Sequence, residues 1–140
     1  MRGEYGDAIR FPPNCFLDMR AKIVRYESRK LLVVRIPVHE ESFNPVGVMQ
    51  GGYIAAAFDN AIGPLSYMAA RKPCMTIDLH TQFIRAVGPG DTLTVTARVV
   101  SQGAITMVLA ADAYNARQKL AALATATVVV EPKTTHPNPL

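Results

Sequence analysis

The chain has 140 residues and a net charge of +4, with 49% apolar and only 19% charged side chains. That length suits one domain with a true hydrophobic core, and the composition excludes a globally disordered chain. The basic residues are scattered and not interleaved with aromatics, which argues against a nucleic-acid partner but leaves a phosphorylated ligand open.

Residues 1 to 19 carry Pro12-Pro13 and the apolar Phe11, Phe16, Leu17 and Met19, as in a loop with a short helical turn laid on the core. Strands are expected over 21–28 and 31–38, turning at Ser28-Arg29-Lys30; the second, LLVVRIPV, is rich in β-formers. Residues 39 to 49 form a loop, with a turn at Asn44-Pro45. A long apolar helix follows from about 51 to 70. Pro64 inside it is expected to kink it or loosen one turn, and Pro73 ends it. Next come TIDLHTQF (76–83) and TLTVTARV (92–99), whose period-two alternation implies antiparallel sheet with one face on the core. Residues 104–114 and 119–130 give a last hairpin across 115–118. The tail from Glu131 holds three prolines and is expected to be loose.

The order of elements implies an α+β fold, one long helix against a twisted six-stranded antiparallel sheet, with residues 1–140 read as a single domain. The helix is apolar nearly all round, so it needs a cover on both sides; the simplest second cover is another copy of the chain. Cys15 and Cys74 form no CxxC and read as two buried reduced thiols. His39, His80 and His136 have no metal-ligand spacing, so no metal is expected. Tyr53 to Ala70 has the length of a membrane span, but Asp59, Asn60, Pro64 and Ser66 interrupt it, and no signal pattern opens the chain. No membrane partner and a cytoplasmic location are expected.

Residues 47–70, GVMQGGYIAAAFDNAIGPLSYMAA, contain a single charge, Asp59. Gly51-Gly52 open the helix, and Asp59 stands almost two whole turns after Gly52, on the same face and about 10 Å along the axis. Its neighbours there are Ala55, Ala56, Ile62 and Gly63, mostly small. A carboxylate on a buried helix with small neighbours leaves room beside it for something other than protein.

Asn44-x-x-Gly47-x-x-Gln50-Gly51-Gly52 followed by Asp59 resembles the signature of the hotdog-fold acyl-CoA thioesterases, in their phenylacetate-pathway (PaaI-like) branch. Thr76-Ile77-Asp78-Leu79, Phe83-Ile84-Arg85 and Gly88-Pro89-Gly90-Asp91 also look like that family, and the resemblance covers roughly residues 30 to 130. It implies a hotdog fold, a long central helix wrapped by a curved six-stranded antiparallel sheet, paired into homodimers and often homotetramers. It implies hydrolysis of an acyl-CoA thioester, with coenzyme A as part of the substrate and no other cofactor. Carried over by position, Asp59 is the base or nucleophile and the Gly51 amide polarises the thioester carbonyl. Asn44 helps hold that carbonyl or the water, and Thr76 orients water. Gly52, Tyr53, Phe58 and Arg85 are the expected substrate contacts. Gln50 stands where most members have His; it can donate a hydrogen bond but cannot carry a proton.

Thioester hydrolysis needs donors where negative oxygen develops and a group that activates water or attacks. Helix-start amides and a carboxylate supply both. The two groups are too far apart along one helix to meet one carbon, so each site is expected to combine the helix start of one chain with Asp59 of another. Bland readings stand beside these. Asp59 could pair with a basic residue, Gly51-Gly52 could be a tight lead-in to the helix, and Asn44 a turn residue. The rival functions are a non-catalytic acyl-CoA-binding protein of the same fold and a thioester dehydratase. The second lacks a His in the central stretch.

Overall fold

The computed structural model describes residues 12–132. Phe11 and residues 133–140, with most of the proline-containing tail, lie outside the described residues. A short helix α1 (Asn14–Asp18) leads to β1 (Lys22–Glu27) and β2 (Leu31–Pro37). A 3-10 turn (Glu40–Ser42) precedes α2 (Gly51–Ala70); β3 (Cys74–Phe83), β4 (Thr92–Gln102), β5 (Thr106–Tyr114) and β6 (Leu120–Val130) follow. All strand pairs are antiparallel, in the order β1-β2-β4-β5-β6-β3. The chain leaves β2, runs through α2 to the far edge as β3, and returns to β4 beside β2. That crossover wraps the sheet around α2, which touches every strand from β2 to β6.

Side-chain size explains how closely the sheet can wrap. Facing α2, β5 and β6 present Ala111, Ala113, Ala122, Ala124 and Ala126, whereas α2 presents Ile54, Phe58, Ile62 and Leu65, all buried. Large helix residues fill the space that small sheet residues leave, the interdigitation that dense cores require. Leu32, Val34 and Ile36 of β2 and Leu93 and Val95 of β4 close the other flank. The helix runs unbroken through Pro64, and Ser66 Oγ donates to the Gly63 carbonyl at 2.7 Å. Arg71 stops it in the left-handed region (φ 56), its amide donating to the Tyr67 carbonyl at 2.8 Å, with Pro73 two residues on.

The structure corrects three expectations. β3 is an edge strand, and its Met75, Ile77 and Phe83 are 61%, 62% and 55% exposed, so its alternation does not mark a core face. β4 extends through a bulge between Val99 and Ser101, so Ser101-Gln102 belong to the strand, and Gln102 Nε2 donates to the Ala69 carbonyl at 3.0 Å. Cys74 is buried but Cys15 is exposed, because the single turn of α1 turns Phe16 inward instead. No helix among the described residues is long and apolar enough to cross a membrane.

Candidate functional site

The loop before α2 is built to aim its first amides outward. Asn44 Oδ1 accepts the amides of Val46 (3.1 Å) and Val48 (3.2 Å), closing a turn in which Gly47 has φ +82, a conformation that suits glycine. The amides of Met49 and Gln50 donate to the carbonyls of Val87 (2.8 Å) and Ser42 (2.7 Å), fixing the chain as it enters the helix. Gln50 is the N-cap in extended geometry, and its carbonyl accepts the amides of Tyr53 and Ile54. The amides of Gly51 and Gly52 have no acceptor among the described residues. They are the orphan donors of a helix start, where the dipole also favours negative charge. The Gln50 side chain lies over this spot, its Oε1 3.8 Å from where a β-carbon of residue 52 would stand.

Asp59 stands on the outward face of α2 with Gly52, Tyr53 and Ala56, and it is exposed in the single chain. The expectation of a buried carboxylate is therefore corrected for the single chain. The apolar character all round α2 comes from large residues facing the sheet and small ones facing out, and only the first set is covered. Asp59 is not in an ion pair among the described residues; the pairs found are Arg25–Glu27 and Arg98–Asp112. Its Oδ1 instead accepts the Thr76 hydroxyl at 2.9 Å. A bulge between Thr76 and Asp78 makes that contact possible. It shifts the alternation of β3 so that Thr76 shares a face with Leu79, Thr81 and Phe83, towards α2, and such bulges commonly re-aim a side chain beside a site.

The remaining expected residues fall in different places. Tyr53, 39% exposed, adjoins a cavity of about 150 Å³ with Ile36, Met49, Arg20 and His39. Phe58 is fully enclosed against the sheet, about a quarter turn round α2 from Asp59. Arg85 lines a separate cleft of about 480 Å³ with Arg117 and Lys119. Thr76, Asp59, Gly51, Gly52 and Gln50 thus share the α2–β3 surface, and Asn44 supports the loop leading into it.

Two residues escaped the sequence reading. The Phe83 ring covers Gly51 so closely that a β-carbon there would come within 2.9 Å of Phe83 Cζ. Asn60, next to Asp59, is buried, and its Nδ2 donates to the Cys15 carbonyl (3.3 Å) and Met19 Sδ (3.0 Å), tying α1 to α2. An amide side chain within a largely apolar helix was the available signal, since such a group needs partners once buried.

Comparison with known proteins completes the description. The thioesterase superfamily profile matches residues 46–122, more than half of the chain. Among solved structures, the Escherichia coli PaaI protein of the phenylacetic acid degradation operon aligns with TM-score 0.82 and 24% identity over 88% of each chain. A Haemophilus influenzae thioesterase gives 0.81 and 19%, over 91% of this chain and 89% of that one. A Streptococcus mutans protein solved with acetyl-CoA bound gives 0.78 and 26%, over 94% and 99%. No curated protein matches. The matched span holds the helix start, Asp59 and Thr76, and the aligned structures repeat the helix-in-sheet arrangement; this chain belongs to the thioesterase superfamily and has the hotdog fold of its PaaI-like members.

Proposed function

We propose that the protein hydrolyses acyl-CoA thioesters to free acid and CoA, in sites each assembled from two chains. One observation carries the reading. Two unspent amides at Gly51 and Gly52 and a carboxylate held by Thr76 share an open face of α2, yet stand roughly 10 Å apart along its axis. Donor and base must both lie near 3 Å from groups on one carbon. A twofold axis that sets two α2 helices antiparallel would bring the start of one to Asp59 of the other. Gly52, Ala56 and Gly63 on that face let the two backbones approach closely. The acetyl-CoA bound by the Streptococcus mutans neighbour supports a CoA thioester as the ligand class.

The roles follow from which groups are free. The Gly51 amide polarises the thioester carbonyl and holds the oxygen as it becomes negative. Asn44, its Oδ1 spent on the turn, has Nδ2 left to donate. The Asp59 carboxylate removes the proton of the attacking water, or attacks directly. Thr76 donates its hydroxyl hydrogen bond to Asp59 and keeps lone pairs that can accept from water. The thiolate then leaves without needing a strong acid from the protein. Gln50, in the position of the family's His, supplies a donor but no proton transfer. That residue is also what favours the second reading, a hotdog protein that binds acyl-CoA without cleaving it.

Release of free thiol from a panel of acyl-CoAs separates the two. Asp59→Asn and Asp59→Ala should lose on the order of 10²-fold or more in kcat with folding intact. Wild-type rates in Asp59→Asn would remove Asp59 from the chemistry. CoA-ester binding with no turnover by the wild-type protein would establish the second reading.

A further inference from the structure

We propose that the cavity beside Tyr53 receives the tail of the acyl group and selects a short aliphatic chain bearing a neutral oxygen, held by a hydrogen bond from His39. The inference rests on the hydrolase reading above and names the acyl class within it. Its central observation is a donor without an acceptor. His39 lines the cavity, and its Nε2 is shielded from solvent with no hydrogen-bond partner among the described residues. Buried polar groups are nearly always paired, so an unpaired one marks a place where another group completes the bond.

The state of that ring follows from its other nitrogen. Arg20 Nη1 lies 3.0 Å from His39 Nδ1. A guanidinium can only donate, so Nδ1 accepts and the ring hydrogen sits on Nε2. Both partners stand on braced backbone. At the end of α1 the amides of Arg20 and Ala21 donate to the carbonyls of Leu17 (2.9 Å) and Phe16 (3.1 Å), and Arg20 turns left-handed at φ 52. On the other side, the Ser42 amide and hydroxyl both donate to the His39 carbonyl, at 3.0 and 2.7 Å. The Nε2 donor is therefore held between two fixed segments.

Size and charge narrow the ligand. The cavity measures about 150 Å³, and buried Ile36 and Met49 give it apolar lining. A space of that volume is filled by benzene, about six non-hydrogen atoms, so a short chain with one oxygen fits and a substituted ring does not. Asp18 and Glu41 line it together with Arg20, two acids against one cation, which disfavours a carboxylate at the end of the chain. A hydroxyl or keto oxygen accepts from Nε2 without bringing a charge. The position also suits an acyl tail. Met49 and Tyr53 line the cavity and flank Gly51-Gly52, so it begins within one turn of the amide proposed to hold the carbonyl.

The experiment measures kcat/KM for butyryl-, valeryl- and hexanoyl-CoA against the same chains bearing one hydroxyl or keto group. In the wild-type protein the best oxygenated ester should exceed its plain counterpart by about tenfold, the worth of one well-made hydrogen bond. In His39→Phe, which keeps a ring but no donor, that ratio should fall to about one. A second arm decides without a variant at position 39. Heteronuclear NMR of the histidine ring nitrogens should find His39 with its hydrogen on Nε2 and none on Nδ1. That Nε2 signal should move on adding hydroxybutyryl-CoA and stay in place with butyryl-CoA, read in Asp59→Asn to keep the esters intact. Equal rates for plain and oxygenated esters, or a preference that survives in His39→Phe, overturns the cavity assignment and leaves the hydrolase reading standing. So does a ring hydrogen on Nδ1, an Nε2 signal indifferent to the hydroxyl, or a preference for carboxylate-ended esters. An Nε2 response to the hydroxyl with no hydrolysis of any thioester supports the cavity and sinks the hydrolase.

Discussion

At position 51 a β-carbon would lie 2.9 Å from Phe83 Cζ, inside any ordinary contact, so the ring has to move before any other residue fits. Two effects then compete in Gly51→Ala. Alanine favours the helix over glycine by about 0.5–1 kcal/mol. Phe83 is 55% exposed and meets position 51 with the far end of its ring, so the ring can turn aside at an off-rotamer cost of about 0.5–1.5 kcal/mol. The two effects nearly offset, so Gly51→Ala should leave the thermal midpoint close to its value in the wild-type background. In Phe83→Ala the clash is gone and the same substitution should raise the midpoint. A midpoint that rises equally in both backgrounds would show that Phe83 does not set the glycine requirement. The sequence pointed to Gly51 through its register with Asp59; the ring against it comes from a strand 32 residues away in sequence and has no local signature.

At the scale of elements, α1 has five residues and cannot hold itself as a helix, so its attachment decides where it lies. Asn60 provides that attachment through its two Nδ2 contacts. Asn60→Ala leaves the Cys15 carbonyl without this donor and should cost about 1–3 kcal/mol by urea unfolding. Asn60→Asp faces a carboxylate to that carbonyl and should cost more. Equal stability of Asn60→Asp and wild type would contradict the tie. The far end of α2 makes a pH prediction. Burial, above all, raises the Cys74 thiol above its ordinary 9.0. Burial first, then the nearby Cys74 and Glu131, raises the Tyr67 hydroxyl above 10.0. Both groups hold their protons more tightly folded than unfolded. Their contribution to stability is complete below pH about 9 and is lost as pH rises through the raised values. The thermal midpoint should fall from about pH 9 upward, and less steeply at first in Cys74→Ala.

For the whole molecule, the decisive quantity is how many chains make one site. Gly51→Pro removes the amide proposed to polarise the carbonyl while suiting the first helical position, since Gln50 before it is already extended (ψ 143). Combined with Phe83→Ala to clear the ring, it gives a chain lacking the donor but keeping Asp59. Mixed with Asp59→Ala chains, two inactive proteins should recover about a quarter of wild-type activity, because half the dimers are mixed and each holds one intact site. No recovery on mixing, with mixed dimers verified by mass, would place the whole site within one chain. A protomer held monomeric should be inactive.

The sequence alone determined the helix, placed at about residues 51 to 70, because paired glycines and Pro73 punctuate it locally. It also determined the strand count and the shared face of Gly52 and Asp59, since helical and pleated periods are properties of neighbours in the chain. Only the tertiary structure decided that Asp59 is open to solvent in the single chain, that Phe58 belongs to the core, and that a bulge swings Thr76 onto the carboxylate. It also gathered Arg85, Arg117 and Lys119 around one cleft. Periodicity tells which residues share a face, but covering that face, or bringing three charges together across it, depends on contacts between segments that meet only when the sheet closes around the helix.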